Sequence, residues 1–140
     1  MLLNTVLMCL ALNVYHETRG EPMSEGYAVS HVVLNRGKHD RWPDDVCSVV
    51  KQGYKKGSEK CQFSWYCDGK SDNPKNMKVY DSIYELVNYI YDMQNYPEYQ
   101  ILDITDGATH YHADYVRPSW AKTKTKTIEI EDHIFYRWEK

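Results

Sequence analysis

Glu17 is the residue whose type and position are best suited to chemistry. It follows an apolar stretch in which hydrophobic residues recur at the spacing of one helix face, at Leu3, Val6, Leu7, Leu10 and Val14. Gly20 and Pro22 then end the helix. A carboxyl group at such a helix end lies half in the core and half in a cleft, and partial burial raises its pKa. We therefore predict that Glu17 keeps a proton near neutral pH and acts as a general acid, as in cleavage of a glycosidic bond.

Two further carboxylates, Glu21 and Glu25, follow Glu17 closely. A glycosidase that uses two carboxylates needs the second one as nucleophile or base, and these are the local candidates. Both lie beyond the helix break, so the sequence leaves open whether either of them reaches a substrate. Charges at a turn and at the start of the next helix would also explain them. Glu21 and Glu25 are therefore candidate substrate contacts with a structural alternative beside them.

His110, His112 and Asp114 suggest a different chemistry, that of a metal site. Alternate side chains of a β-strand share a face, so these three would point the same way. His-x-His with a nearby carboxylate is a workable zinc set for a peptidase or an amidase. No His-Glu-x-x-His helix or other long-range ligand pattern accompanies them. We therefore expect no metal and no other cofactor, and the zinc enzyme remains the alternative.

Helical periodicity and helix-end signals predict four helices in the first hundred residues. We place them at 3–17, at 24–37, from Trp42-Pro43-Asp44 through Val50, and at 78–95. Between the last two, residues 53–76 contain few aliphatic side chains, which predicts a surface excursion. Within it, Gln62-Phe63-Ser64-Trp65 is an aromatic island that must either pack onto the core or contact a ligand.

After Pro97 the pattern changes to the alternation that is typical of β-strands. Residues 108–113 alternate in this way, and so do a run with Ile128 and Ile130 and a later run at 133–138. These runs predict a small antiparallel sheet. The lysines of residues 122–127 would share one face, as on an edge strand. The predicted fold class is therefore α+β, mainly helical with a small antiparallel sheet.

Length and composition describe one domain over residues 1–140. Hydrophobic residues make up 42% and charged residues 26%, which is ordinary for a globular protein. The net charge of −3 argues against a nucleic-acid partner, and no apolar run is long enough to predict membrane insertion. Thirteen tyrosines and four tryptophans suit a sugar-binding groove, although most such rings pack in cores. We expect a monomer without a signal peptide.

The four cysteines are too few for a scaffold built on disulfides. Cys9 lies on the apolar part of the first helix, where we expect a buried thiol. Pairing among Cys47, Cys61 and Cys67 would tie down the polar stretch, but the sequence does not select the connectivity. The spacing of Cys61 and Cys67 differs from that of a zinc hairpin.

Several separated motifs occur in a fixed order along the chain: Glu17-Thr18-Arg19-Gly20-Glu21-Pro22, Glu25-Gly26, Val33-Leu34-Asn35-Arg36, Gln62-Phe63-Ser64-Trp65, Ala108-Thr109-His110-Tyr111-His112, Arg117-Pro118-Ser119-Trp120 and Asp132-His133-Ile134-Phe135-Tyr136-Arg137. Together they resemble the SleB/CwlJ-type cell-wall hydrolases, a family of spore-cortex-lytic enzyme catalytic domains that also occurs alone in phage lysins. The resemblance implies a lysozyme-like fold and cleavage of peptidoglycan between N-acetylmuramic acid and N-acetylglucosamine, as a lytic transglycosylase. It assigns the catalytic glutamate to Glu17. Thr18 departs from the usual alanine of the family.

The resemblance also implies where the glycan strand lies. Beside Glu21 and Glu25, the candidate groove residues are Gln62, Ser64, Trp65, Tyr111 and His112, with Phe63 as a core anchor. In the single-carboxylate scheme, Glu17 closes a 1,6-anhydro ring on the muramic acid. Made in the cytoplasm, such a lysin would reach the wall through a holin. A non-catalytic glycan-binding module is the second alternative, but it gives Glu17 no task.

Overall fold

The computed structural model describes residues 5–18, 23–54 and 60–139. Five α-helices, two short 3-10 helices and three β-strands are found in that part of the chain. The helices are α1 (Val6–Thr18), α2 (Met23–Gly37), α3 (Val46–Val50), α4 (Met77–Met93) and α5 (Tyr99–Leu102), the 3-10 helices span Ser64–Cys67 and Ser119–Thr123, and the strands are β1 (His110–Ala113), β2 (Thr125–Ile130) and β3 (His133–Arg137). The predicted α+β class is confirmed.

Helix α1 forms the centre of the helical half. Its start is capped by the Thr5 hydroxyl, which accepts a hydrogen bond from the backbone N–H of Met8 at 3.2 Å. Its middle is buried on nearly every side because α2, α3 and α4 all pack against it. Helix α4 has the narrow apolar stripe that the sequence predicts, with Tyr80, Ile83, Val87 and Ile90 buried. In the described part of the chain, no helix combines the length and the apolar character that a membrane crossing requires.

The disulfides differ from the sequence prediction for one cysteine. Cys9 is bonded to Cys47, which links the buried face of α1 to α3, so the predicted buried thiol is wrong. Cys61 is bonded to Cys67 and closes a short loop around the aromatic island. Sequence reasoning considered only the three cysteines of the polar segment, whereas helix packing brings Cys9 next to Cys47.

The three strands form an antiparallel sheet, as predicted, and their order is β1-β3-β2. In the registered pairs, Tyr111 lies opposite Phe135 and His112 lies opposite Ile134. Phe135 packs on α2 with Ala28 and Val32, so the sheet has an inner face toward the helices and an outer face away from them. This alternation sends Tyr111 inward and its two histidine neighbours outward.

The lysine run is divided between two elements instead of forming one edge strand. Lys122 lies in the 3-10 helix Ser119–Thr123, and only Lys126 lies on β2, which is indeed an edge strand. Lys124 falls between these elements, with its ammonium group 4.1 Å from the ring centroid of Trp138. The contact with an aromatic ring explains why this lysine leaves the predicted row.

Candidate active site around Glu17

Glu17 lies in the last turn of α1, half-buried, as the sequence predicts. The Tyr111 hydroxyl, which comes from the inner face of β1, donates a hydrogen bond to Glu17 Oε1. The next residue, Thr18, uses its hydroxyl within the helix, donating to the Val14 carbonyl at 2.8 Å. The departure from alanine at position 18 is thus accommodated by a bond to the helix backbone.

Tyr111 is held in its neutral, hydrogen-donating form. Burial raises the pKa of its phenol well above the ordinary value, and the negative charge of Glu17 and the hydrogen bond to it raise the pKa further. A neutral phenol donates a hydrogen bond to a carboxylate oxygen without adding charge to the site. The pair therefore fixes the orientation of the Glu17 carboxylate.

Arg36 is a buried cation near this pair. Its Nε donates to the Thr109 carbonyl at 2.7 Å, and its guanidinium lies 5.3 Å from the ring centroid of Phe63. Burial lowers the pKa of Arg36, while the charge of Glu17 opposes this shift. A guanidinium remains charged in proteins, so Arg36 supplies positive potential to Glu17.

The start of β1 is fixed to the end of α2 by two neighbouring side chains. Asn35 Nδ2 donates to the Ala108 carbonyl and to Asp103 Oδ2, each at 2.9 Å, and Arg36 bonds the next carbonyl along. These bonds fix the start of β1 against the C-terminal end of α2. They thereby fix the position of Tyr111, which lies on β1, relative to Glu17.

Glu25 lies beneath the inner face of the sheet and is fully buried. His133 Nδ1 lies 2.7 Å from Glu25 Oε1 and 3.1 Å from Oε2. The His133 ring also contacts Tyr111, with ring centroids 5.5 Å apart. The prediction of Glu25 as a substrate contact therefore needs revision, because a fully buried carboxylate bonded to a histidine has no surface for a glycan.

Some residues of the aromatic island lie in the core and others lie at the surface. Trp65 is 3% exposed, its indole N–H donates to Asn13 Oδ1 at 2.8 Å, and its ring stacks on His16 at 4.6 Å between centroids. This burial corrects the placement of Trp65 in the glycan groove, since almost none of its side chain is accessible to a sugar. Phe63 is buried in the same cluster, as predicted.

Gln62 and Ser64 are exposed and lie between the bonded Cys61 and Cys67. The backbone N–H of Gln62 donates to the Gln52 carbonyl at 3.0 Å, which ties this loop to the end of α3. Their contact with a glycan stays a prediction. Glu21 lies outside the described residues, so the structure does not place this second candidate carboxylate.

The His110, His112 and Asp114 set lies on the outer side of the sheet. His112 Nε2 is 2.9 Å from the Tyr136 hydroxyl, and its Nδ1 is 2.7 Å from the Ala113 carbonyl. His110 Nδ1 is 3.0 Å from Thr109 Oγ1. Among the residues that the structure describes, no group of three or more His, Cys, Asp or Glu side chains is arranged to hold a metal ion.

His112 is therefore on the opposite sheet face from Tyr111 and Glu17. It lines an outer cleft of about 730 Å³ together with Arg117, Lys122, Glu129 and Tyr136. The sequence prediction placed His112 and Tyr111 in one groove, although adjacent residues on a strand point in opposite directions. This correction follows from the strand that the sequence itself predicts.

Sequence reasoning missed two residues of the site. Arg36 and His133 enter the sequence prediction only as members of motifs, and no role is predicted for either. Both positions were thus within recognised motifs, but the contacts that bring them to Tyr111 join residues far apart in the chain.

Comparisons with known proteins identify relatives of this chain. The family model described as Cell Wall Hydrolase matches residues 20–136. The spore cortex-lytic enzyme of Oceanobacillus iheyensis is 27% identical over 130 residues, which are 92% of this chain and 40% of that relative. The chain thus spans well under half the length of this relative.

Two solved structures have a similar fold. One is the catalytic domain of the germination-specific lytic transglycosylase SleB from Bacillus anthracis, with a TM-score of 0.66 and 26% identity over 94% of this chain and 93% of the other. The other is the catalytic domain of the Bacillus cereus SleB protein, with a TM-score of 0.66 and 25% identity over 94% and 88%. Since the family model matches more than half of its length, the chain belongs to the cell wall hydrolase family.

Proposed function

We propose that this chain cleaves the glycan strand of peptidoglycan between N-acetylmuramic acid and N-acetylglucosamine, as a lytic transglycosylase with Glu17 as its catalytic residue. The family membership and the similarity to a lytic transglycosylase catalytic domain support the reaction class. The observation that carries the role of Glu17 is its geometry: a half-buried carboxylate at a helix end, held by Tyr111. Geometry matters here because the family match begins at residue 20.

The reaction uses Glu17 twice. As a carboxylic acid it donates its proton to the bridging oxygen, and the bond from that oxygen to C1 of the muramic acid breaks. As a carboxylate it then takes the proton from the C6 hydroxyl of the same sugar, whose oxygen bonds to C1 and closes a 1,6-anhydro ring. The nucleophile belongs to the substrate, so it attacks with the rate advantage of a held geometry.

Tyr111 and Arg36 support the second half of this cycle. The Tyr111 hydroxyl donates to one oxygen of the Glu17 carboxylate, and the buried charge of Arg36 stabilises the negative form. Both groups act most strongly on the ionised form of Glu17, which is the form that takes the proton from the C6 hydroxyl. The site therefore stabilises the charge that develops during the reaction.

The burial of Glu25 supports a scheme with one carboxylate. A nucleophile or base must reach the sugar or a water molecule beside it. Glu25 is fully buried and bonded to His133. His133 contacts the Tyr111 ring, and the Tyr111 hydroxyl bonds to Glu17, so the contacts from Glu25 to Glu17 pass through two other side chains. Within the described residues, Glu25 is thus a poor candidate for a second catalytic group.

The two disulfides support action outside the cytoplasm. Disulfides persist in oxidising compartments and are rare where thiols are kept reduced. We include in the proposal that the protein is made in the cytoplasm and acts at the wall as a monomer, without a nucleic-acid partner or membrane insertion.

The experiment that tests the proposal compares the parent with Glu17→Gln on purified cell walls. The variant keeps the shape of the side chain but has no acidic proton, so we expect activity to fall by about a thousandfold or more. Circular dichroism and wall pull-down should be unchanged. Mass spectrometry of fragments from the parent should find 1,6-anhydro ends.

Each alternative gives a different result in the same experiment. Reducing ends in place of anhydro ends would indicate hydrolysis by a water nucleophile. Lysis that survives Glu17→Gln and is abolished by a chelator would replace the proposal with a metal enzyme. Wall binding by the parent without any released fragment would indicate a glycan-binding module.

A further inference from the structure

We propose that Glu25 and His133 are positioning residues, which hold Tyr111 against Glu17 from beneath the sheet. The inference rests on the proposed function, because it concerns the same acid. It assigns a task to a buried carboxylate that the reaction scheme does not use. Glu25 is fully buried and reaches Tyr111 through the His133 ring, so the role assigned to both residues is exerted through Tyr111.

The buried pair is the first observation. Glu25 is fully buried near the start of α2, and the His133 side chain on β3 is 17% exposed. Removing a carboxylate from water is costly unless strong hydrogen bonds replace the lost hydration. His133 Nδ1 supplies them at 2.7 Å and 3.1 Å from the two carboxylate oxygens. The pair therefore fixes the His133 ring against the start of α2.

The contact with Tyr111 is the second observation. The His133 ring meets the Tyr111 ring edge to face, with an interplanar angle of 71°, and Phe135 stacks against Tyr111 with centroids 5.4 Å apart. Tyr111 is thus held by two rings of the neighbouring strand. Its hydroxyl can keep its bond to Glu17 only while the ring keeps this position.

The charge of Glu25 acts in the same direction as the packing. Together with Glu17 it raises the pKa of the Tyr111 phenol, while Arg36 lowers it. Tyr111 is already a neutral hydrogen-bond donor near pH 7, because burial is the main cause of its raised pKa, and the charge of Glu25 only adds to this opposition to ionisation. Among the residues that the structure describes, the titratable groups that face Tyr111 are Glu17 from α1, Glu25 and Arg36 from α2, and His133 from β3.

A double-mutant cycle tests whether Glu25 acts through Tyr111. We compare Glu25→Gln, Tyr111→Phe and the double variant by kcat on purified, uncrosslinked glycan strands. If the pair positions Tyr111, Glu25→Gln lowers kcat by about tenfold in the parent but by less than about twofold in the Tyr111→Phe background. Equal factors in both backgrounds would overturn the proposal.

The stability of each variant separates positioning from a loss of fold. Ile90→Val is the matched control, because Ile90 is buried on α4 and its truncation lowers Tm without touching the pair. Its effect on kcat should be within about twofold and equal in both backgrounds. If Glu25→Gln does not fold, His133→Gln takes its place in the cycle, with the same expected result and the same contradicting result.

The outcome also distinguishes this inference from the proposed function. If Glu17→Gln abolishes cleavage and the cycle is additive, the reaction stands and only the positioning role fails. If Glu17→Gln cleaves normally, the proposed function itself fails.

Discussion

Strand β1 presents two different environments on its two faces. Tyr111 points inward to Glu17, where it is also influenced by the charges of Arg36 and Glu25 and contacts the ring of His133. His110 and His112 point outward, into a cluster of the aromatic rings of Trp42, Trp120, Tyr136 and Trp138. The residue types suggest that the histidines are the chemical groups and the tyrosine a packing residue. The proposed reaction reverses these roles, because Tyr111 contacts Glu17 whereas the histidines lie among aromatic rings on the opposite face.

Of the variants that test the difference between the two faces of β1, Tyr111→Phe is expected to have the largest effect. The change keeps the ring and its contacts with His133 and Phe135, and it removes only the hydroxyl that donates to Glu17. A hydrogen bond to a charged group is worth about 1.5–3 kcal/mol, so kcat should fall by roughly 10- to 100-fold. Steady-state kinetics on glycan strands measures this fall.

The same variant should leave the fold intact. We expect Tm to change by no more than a few degrees, because the buried ring is retained. Full activity in Tyr111→Phe would show that the Tyr111 hydroxyl does not affect the reactivity of Glu17. The two faces of β1 would then not differ in their contribution to the reaction.

His110 is expected to make the free energy of unfolding depend on pH, and we expect this effect to be smaller than that of Tyr111→Phe. Burial lowers its pKa to about 4, and the charges of Arg36 and Lys124 contribute. The unfolded chain binds a proton near pH 6.5, whereas the folded protein binds it only near pH 4. The stabilisation that His110 provides is therefore fully present above pH 6.5 and is lost as the pH falls toward 4.

Urea unfolding of the parent and of His110→Phe at pH 7.5 and pH 4.5 measures this contribution. Phenylalanine keeps a ring between Trp120 and Trp138 but does not titrate. The variant should lose about 1–2 kcal/mol less than the parent between the two pH values, allowing for the partial exposure of His110. Equal losses would mean that the outer cluster admits a charged imidazole, and therefore water.

The elements that hold these side chains could be predicted because each has a local signal. The stripe of α4 and the alternation of residues 108–113 each repeat within a few residues of sequence, so periodicity locates them. The position of Glu17 at the end of α1 follows from Gly20 and Pro22 in the same way. Motif resemblance then adds the order of the sites along the chain.

The contacts across the site could not be predicted, because they depend on how helices and strands pack. Cys9 reaches Cys47 across 38 residues, and Glu25 reaches His133 across 108. No periodic pattern encodes such pairs. Trp65 could not be placed from the sequence for the same reason, since an aromatic residue in a polar loop can either contact a ligand or pack in the core. In the structure it packs in the core, where it contacts Asn13 and His16.

The smallest effect is expected from His112→Phe, which tests the outer face directly. Phenylalanine keeps the stack on Tyr136 but loses the bond between His112 Nε2 and the Tyr136 hydroxyl, whose ring is nearly buried. Stability should fall by about 1 kcal/mol. Cleavage of glycan strands should stay within about twofold of the parent, since no step of the reaction involves this face. A loss of activity as large as that of Tyr111→Phe, together with inhibition of the parent by a chelator, would instead make the outer histidines the catalytic set and the inner tyrosine a packing residue.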